Sequence, residues 1–263
     1  MGGDPVVLSA LRGALGFLSR VPVGHSEASW TAFTEMPAAF PLAGYVVGAL
    51  VALPFLAVGL VPASVVAAAY LGSVVFVTGV NHADGLADLG DAAAVHGDAS
   101  ERREVMRDTT VGVGAVLALG TVLVTLALGG LAATTLPPLV AVAVVLASEV
   151  GAKLAMATLA CLGTPSHEGF GAMMLDGNGP LDLLLAILVT LPVAVLALPA
   201  TVVAVAVTVV VALAVRRWAS TTLGGIGGDV FGATNELARV AALHSAVVAW
   251  HLLDWGGPLW TQL

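Results

Sequence analysis

Between Asn81 and Asp108 the chain reads NHADGLADLGDAAAVHGDASERREVMRD, which places Asp84, Asp88, Asp91, Asp98, Glu101, Glu104 and Asp108 among Arg102, Arg103 and Arg107. If Asp84 to Asp91 is helical, steps of about 100° per residue bring Asp84, Asp88 and Asp91 within a ~60° sector of one face. Carboxylates so close repel one another unless a cation lies between them. Hard oxygen ligands suit Mg²⁺, which takes one or two carboxylates and completes its shell with substrate phosphate oxygens. The plain alternative is a solvated acidic face, but this cluster begins where an apolar run ends and holds little else that is polar.

Asp108 closes the segment just before the next apolar run. It either N-caps that helix or returns beside the aspartates as a further ligand or base. Arg107 is the candidate phosphate partner, since guanidinium grips phosphate oxygens bidentately. His82 and His96 flank the cluster. Imidazole suits zinc better than magnesium, and with no second His or Cys at ligand spacing His82 reads as a helix-end or supporting group, with an acid or base role left open.

A second polar segment, LGGIGGDVFGATNE (Leu223–Glu236), sets Gly224, Gly225, Gly227 and Gly228 ahead of Asp229. Glycines let backbone approach a phosphate or another helix closely, and the aspartate after them extends the expectation to metal. His167 and Glu168, in a third polar segment, are placed to touch substrate.

The rest of the chain must position these groups, and it is built for lipid. Of 263 residues 59% are hydrophobic and 10% charged, against about 25% charged in a soluble domain, and mean hydropathy is +1.01. The chain is therefore expected to be an integral membrane protein. A formal charge of −8 argues against a nucleic-acid surface, and the single Cys161 excludes an internal disulfide. Leu8–Val23, with Arg12 and Arg20, lacks the pattern of a signal peptide; Pro5–Val23 reads instead as an amphipathic helix in the interface plane, followed by a polar loop over Gly24–Pro37.

Spanning a bilayer takes ~20 apolar residues, which predicts an all-α, polytopic bundle of about seven spans in one domain: about 39–60, 64–80, 111–135, 138–162, 181–198, 200–215 and 236–254. Arg12, Arg20, Arg102, Arg103, Arg107, Arg216, Arg217 and Arg239 all fall to one side of that arrangement. The N-terminus is then cytoplasmic, as are the segments about 81–110, 163–180 and 216–235, with Trp255 and Trp260 anchoring the tail outside. Within the spans, Glu149 and Lys153 stand at i, i+4 and are expected to neutralise each other. His244 and His251 are expected to hydrogen-bond within the bundle.

These segments resemble a known family. NHADGLADLGD is similar to the DGLAD-type signature of cobalamin synthase, or adenosylcobinamide-GDP ribazoletransferase. GFLSRVPV, AFPLAGYVVGAL, VMRDTTVGVGAV and LGGIGGDVFGATNE resemble four further motifs of that family in the same order. Ser19 and Gly227 stand where the family typically has Thr, and Leu89 where it often does; no carboxylate is lost. The resemblance implies closure of the cobalamin nucleotide loop in the cell membrane. The 3′-hydroxyl of α-ribazole, or of its 5′-phosphate, attacks the phosphorus attached to cobinamide in adenosylcobinamide-GDP, and GMP leaves. It implies Mg²⁺ on Asp84, Asp88 and Asp91, with Asp108 or Asp229 completing the metal site or accepting the proton and Arg107 stabilising the leaving group. Arg20, Arg103, Gly224, Gly225, Gly228 and Asp229 would contact substrate. Partners on this reading are the two substrates and the bilayer, not nucleic acid, with a homo-oligomer or an association with other cobalamin-assembly enzymes as options.

Two rivals remain at this level. A CDP-alcohol phosphotransferase also sets aspartates at the ends of membrane helices, but its signature requires Arg where this chain has Asp88 after Ala87. A cation transporter predicts ionisable residues through several spans and internal repeats; only the Glu149–Lys153 pair and two histidines qualify.

Overall fold

The computed structural model describes residues 6–253, all of whose regular structure is helical. Twelve α-helices follow one another: α1 (Val6–Leu18), α2 (Glu27–Thr34), α3 (Ala39–Ala52), α4 (Ala63–Thr78), α5 (Asn81–Ala94), α6 (Ala99–Arg107), α7 (Val113–Ala133), α8 (Pro138–Leu162), α9 (Phe170–Leu175), α10 (Pro180–Ala194), α11 (Ala200–Thr222) and α12 (Gly228–Leu252). Among the described residues four helical segments are long and apolar enough to cross a membrane: 39–57, in which a 3₁₀ turn prolongs α3, then α7, α8 and α11. Helices α4 and α5 meet the criterion only when counted together across a 96° bend. All seven expected segments are helical, but the count by length and composition is four or five. Helix α10 has only 15 residues, and α12 begins eight residues earlier than expected, carrying Asp229, Glu236 and Arg239. Trp255 and Trp260 lie outside the described residues.

Helix α8 is the axis of the bundle, flanked by α3, α10, α11 and α12. Its Ala141, Ala147, Ala152, Ala155 and Ala157 are buried, and small residues let membrane helices approach where hydrophobicity gives no preference for protein over lipid. The Gly44 and Gly48 pair of α3 serves the same purpose: a Cβ on Gly44 would stand 2.8 Å from Cα of Val150. The AFPLAGYVVGAL motif is thus a helix-crossing motif.

The segment Gly24–Pro37 is not a loop. Residues 27–34 form α2, whose N-cap Ser26 accepts from the backbone N–H of Ser29 while the Ser29 hydroxyl caps back. That capping box and the burial of Phe33 against α1 outweigh the segment's polarity. Helices α1 and α2 form an aromatic-faced hairpin, in which Phe17 stacks on Phe170 at 4.5 Å, tying it to α9.

Candidate active site

Helix α5 lies across one end of the bundle, between α7 and α12. Two glycines on opposite sides allow it to settle there. A Cβ on Gly85 would meet the Asp229 carbonyl oxygen at 2.6 Å, and one on Gly90 the Gly114 carbonyl oxygen at 2.6 Å. With no side chain at either point, α5 carries its aspartates to within electrostatic reach of Asp229.

Asp84, Asp88, Asp91, Arg107 and Asp108 line one open cleft of about 310 Å³, with Thr109 and Thr110 opposite. Asp88 sits half-buried at its centre. Burial and then the charges of Asp229, Asp84 and Asp91 push its carboxyl up to about 7. Asp229, in the first turn of α12, is raised by burial and by Asp84, against a lowering from His167. Four carboxylates therefore feel one another. The donor set, all hard oxygen, fits a divalent cation and not a soft one. Among the described residues no three His, Cys, Asp or Glu side chains stand close enough to hold an ion by themselves.

The expected site residues divide on inspection. Asp108 does not cap α7; its Oδ1 accepts from the Thr110 backbone N–H at 3.1 Å, and it returns beside the aspartates. Asp91 holds the start of α7 instead, accepting from Gly112 N at 2.8 Å and Ala115 N at 2.9 Å. Asp91→Ala should therefore lower Tm by about 2–4 °C, the loss of one cap worth ~1 kcal/mol, whereas Asp84→Ala at an exposed position should leave it nearly unchanged; thermal unfolding in detergent checks both.

Arg107 is exposed on the cleft wall, and among the described residues no side chain pairs with it. Arg103 donates to the Leu223 carbonyl and lies over Gly224, bracing the end of α11. Arg102 does the same for α5 through the Ala92 carbonyl, and Arg216 for α8 through the Leu162 carbonyl at 2.6 Å. Arg20 is exposed, its stem against Gly79 at the α4–α5 bend. Cationic side chains on helix C-terminal carbonyls complement the dipole, so these arginines gather at the end of the bundle where α5 lies.

The glycine-rich segment is mostly helix end and helix start. Gly224 and Gly225, at φ +79° and +148°, turn the chain out of α11, with Gly225 N donating to the Ala219 carbonyl. Thr164–Ser166 then pairs with Ile226, and Gly227 lies 3.3 Å, measured from its ideal Cβ, from the His167 ring. Gly228 opens α12. His167 thereby joins the Asp229 side of the site. Glu168 lines a separate cleft with Asp176, and His96 is exposed beyond the end of α5.

The sequence concealed a buried polar cluster just behind the aspartates. Glu149 and Lys153 do approach, at 3.6 Å, but Arg239 is the closer partner of Glu149. Its Nε and Nη2 donate to the two Glu149 oxygens and its Nη1 to Glu236. Arg239 is 0% exposed, so it is not one of the basic groups flanking a span and carries no information on orientation. Asn235 joins Lys153, Glu236 and His82. The signal available was Glu236 and Arg239 at i, i+3 inside an apolar helix. His244 behaves as expected, donating from Nε2 to the Thr125 carbonyl at 2.8 Å, and His251 meets the Thr135 hydroxyl at 3.0 Å.

Residues 10–247 match the family model of cobalamin-5-phosphate synthase. The chain belongs to that family. It is 47% identical over 254 residues to the adenosylcobinamide-GDP ribazoletransferase of Haloquadratum walsbyi, covering 94% of this chain and all of that one. It is 48% identical over 259 residues to the enzyme of that name from Halorubrum lacusprofundi, covering 93% and 99%. A third relative of the same name, from Halobacterium salinarum, is 50% identical over 196 residues, covering 74% and 98%. No solved structure matches the chain. Family membership and the apolar helices together make this a membrane-embedded transferase of cobalamin assembly.

Proposed function

We propose that the chain joins adenosylcobinamide-GDP to α-ribazole, or to its 5′-phosphate, giving adenosylcobalamin or its 5′-phosphate and GMP, at the end of the bundle where α5 crosses α12. The observation that carries this reading is the open cleft in which Asp84, Asp88, Asp91, Arg107 and Asp108 meet, in a chain whose relatives are named for that transfer. The ribazole hydroxyl oxygen forms a bond to the phosphorus borne by cobinamide, the bond from that phosphorus to the bridging oxygen breaks, and GMP departs with the electron pair.

Asp84 and Asp88 would hold Mg²⁺, with Asp229 across from them and pyrophosphate oxygens completing the shell. When bound, the ion neutralises the pyrophosphate and the charge gathering on the leaving group. Arg107, on the cleft wall, pairs with the departing phosphate. Asp229 or Asp108 accepts the proton of the attacking hydroxyl. Asp91 fixes α7, and so the Thr109–Thr110 wall of the cleft, in place. A corrinoid carrying GDP and a ribazole must both reach this end of the bundle, which is why we place it on the cytoplasmic side of the cell membrane. The arginines gathered there support that side.

Mass spectrometry of membranes containing the chain, supplied with adenosylcobinamide-GDP and either ribazole form, tests the reading: new cobalamin, absent from membranes lacking the chain, is expected. The cleft also predicts a pH dependence. A carboxyl at about 7 is protonated below that pH in the cation-free protein, and the cation must displace the proton. The Mg²⁺ concentration for half-activity should rise up to about tenfold from pH 7 to 6 and flatten above about 8. An unchanged requirement across that range would remove Asp88 from the ion.

A further inference from the structure

The buried cluster behind the aspartates contains one fixed chain of donors. Lys153 Nζ can only donate, and it donates to Asn235 Oδ1 at 2.5 Å. That orients the amide, so Nδ2 donates to Glu236 Oε1 at 3.0 Å and to His82 Nδ1 at 3.2 Å. A ring nitrogen that accepts carries no proton; neutral His82 therefore holds its hydrogen on Nε2. His82 is 4% exposed.

This bond lies at the crossing of the two helices that carry the aspartates. A Cβ on Gly232 would stand 3.1 Å from His82 Cα, and one on Gly85 2.6 Å from the Asp229 carbonyl oxygen. The two contacts are three residues apart on each helix and run in opposite directions, so α5 and α12 touch backbone to backbone. A glycine contact permits close approach but supplies no directional bond of its own to fix slide or rotation. Among the described residues, the Asn235–His82 bond is the one side-chain hydrogen bond between α5 and α12. Lys153, anchored on α8 beside Glu149, holds Asn235 from behind. A shift of about 1 Å in a reacting group can cost 10²-fold in rate, so the crossing is a point where a single bond can set the site.

We infer that Asn235 is a positioning residue of the transferase site, fixing through His82 the register in which Asp84 and Asp88 of α5 face Asp229 of α12. The inference rests on the cation reading above and deepens it: the side chain touches no substrate, and its effect is carried by the placement of three carboxylates on two helices.

The test uses the full chain purified in detergent, with Mn²⁺ alone as the probe, titrated by electron paramagnetic resonance alongside thermal unfolding and steady-state kinetics. Asn235→Ala breaks the link from the amide side. His82→Phe breaks it from the ring side while keeping an apolar ring of similar size and leaving the Lys153–Asn235 bond in place. Each should weaken Mn²⁺ binding and raise the Mg²⁺ half-activation concentration about tenfold. His82→Phe should do so with Tm within a few degrees of the parent, and the double variant should be no worse than the poorer single. If Asn235→Ala does not fold, His82→Phe alone decides. Unchanged Mn²⁺ affinity in folded His82→Phe would overturn the positioning role while leaving the cation site standing. Absence in the parent protein of both Mn²⁺ binding and any Mg²⁺ dependence of turnover would overturn the cation reading and this inference together.

Discussion

Asp88→Asn should lower kcat/KM for GMP release by about 10³-fold while leaving thermal stability equal to or above that of the parent. Asp88 stands at the centre of the cleft and feels Asp229, Asp84 and Asp91. Removing its charge relieves repulsion in the free protein, which favours folding. On the proposed reading the same change would take one of two principal oxygens from the cation, whose stabilisation of the transferring phosphate would be worth several kcal/mol, and each 1.4 kcal/mol is about a factor of ten. Loss of activity with no loss of stability is the signature of a group held in place for chemistry. Saturating Mg²⁺ assays with parallel unfolding curves measure both. A variant within tenfold of the parent would show that Asp88 is only part of an acidic surface.

The second large effect is on folding. Arg239→Met should remove most folded protein, because Glu149 and Glu236 would share only Lys153. The four groups form a neutral set as they stand, two carboxylates against two cations, and three of them are fully buried while Glu236 is 7% exposed. Breaking a buried pair from one side costs about 3–5 kcal/mol, a large share of the 5–15 kcal/mol that holds a typical protein folded. Arg239→Lys keeps the charge but loses the fork onto Glu149, and should lie between. The double variant Arg239→Met with Glu149→Gln restores neutrality and should be more stable than Arg239→Met alone. Yield and Tm in detergent decide the order. An Arg239→Met protein melting with the parent would mean that the cluster carries no folding energy.

Much of the site was legible because it lies along single helices. The period of α5 put Asp84, Asp88 and Asp91 on one face, and Glu149 and Lys153 were correctly neighbours one turn apart. Motif order carried the family. What stayed hidden depends on which helices meet. Nothing in local spacing shows that Arg239 reaches Glu149, ninety residues away in the chain, or that Asn235, at the tail of a glycine-rich motif, bonds His82. Asp91 shared the spacing of its neighbours, yet the start of α7 lies against it and takes both its oxygens. Helix α2 was missed because a polar stretch of eight residues has little apolar periodicity, although Ser26 and Ser29 had the spacing of a cap. The charges of α12 were hard to read for a related reason: the helix packs against α5, α7, α8 and α11, which bury Glu236 and Arg239.

The most direct test of the account is GMP release by the purified chain in lipid vesicles. With adenosylcobinamide-GDP, α-ribazole and Mg²⁺ all present, one GMP should appear for each cobalamin formed. Omitting ribazole or chelating the metal should stop both products together. Release of GMP without ribazole, release undiminished by chelation, or turnover of a CDP-alcohol in place of the corrinoid would contradict it.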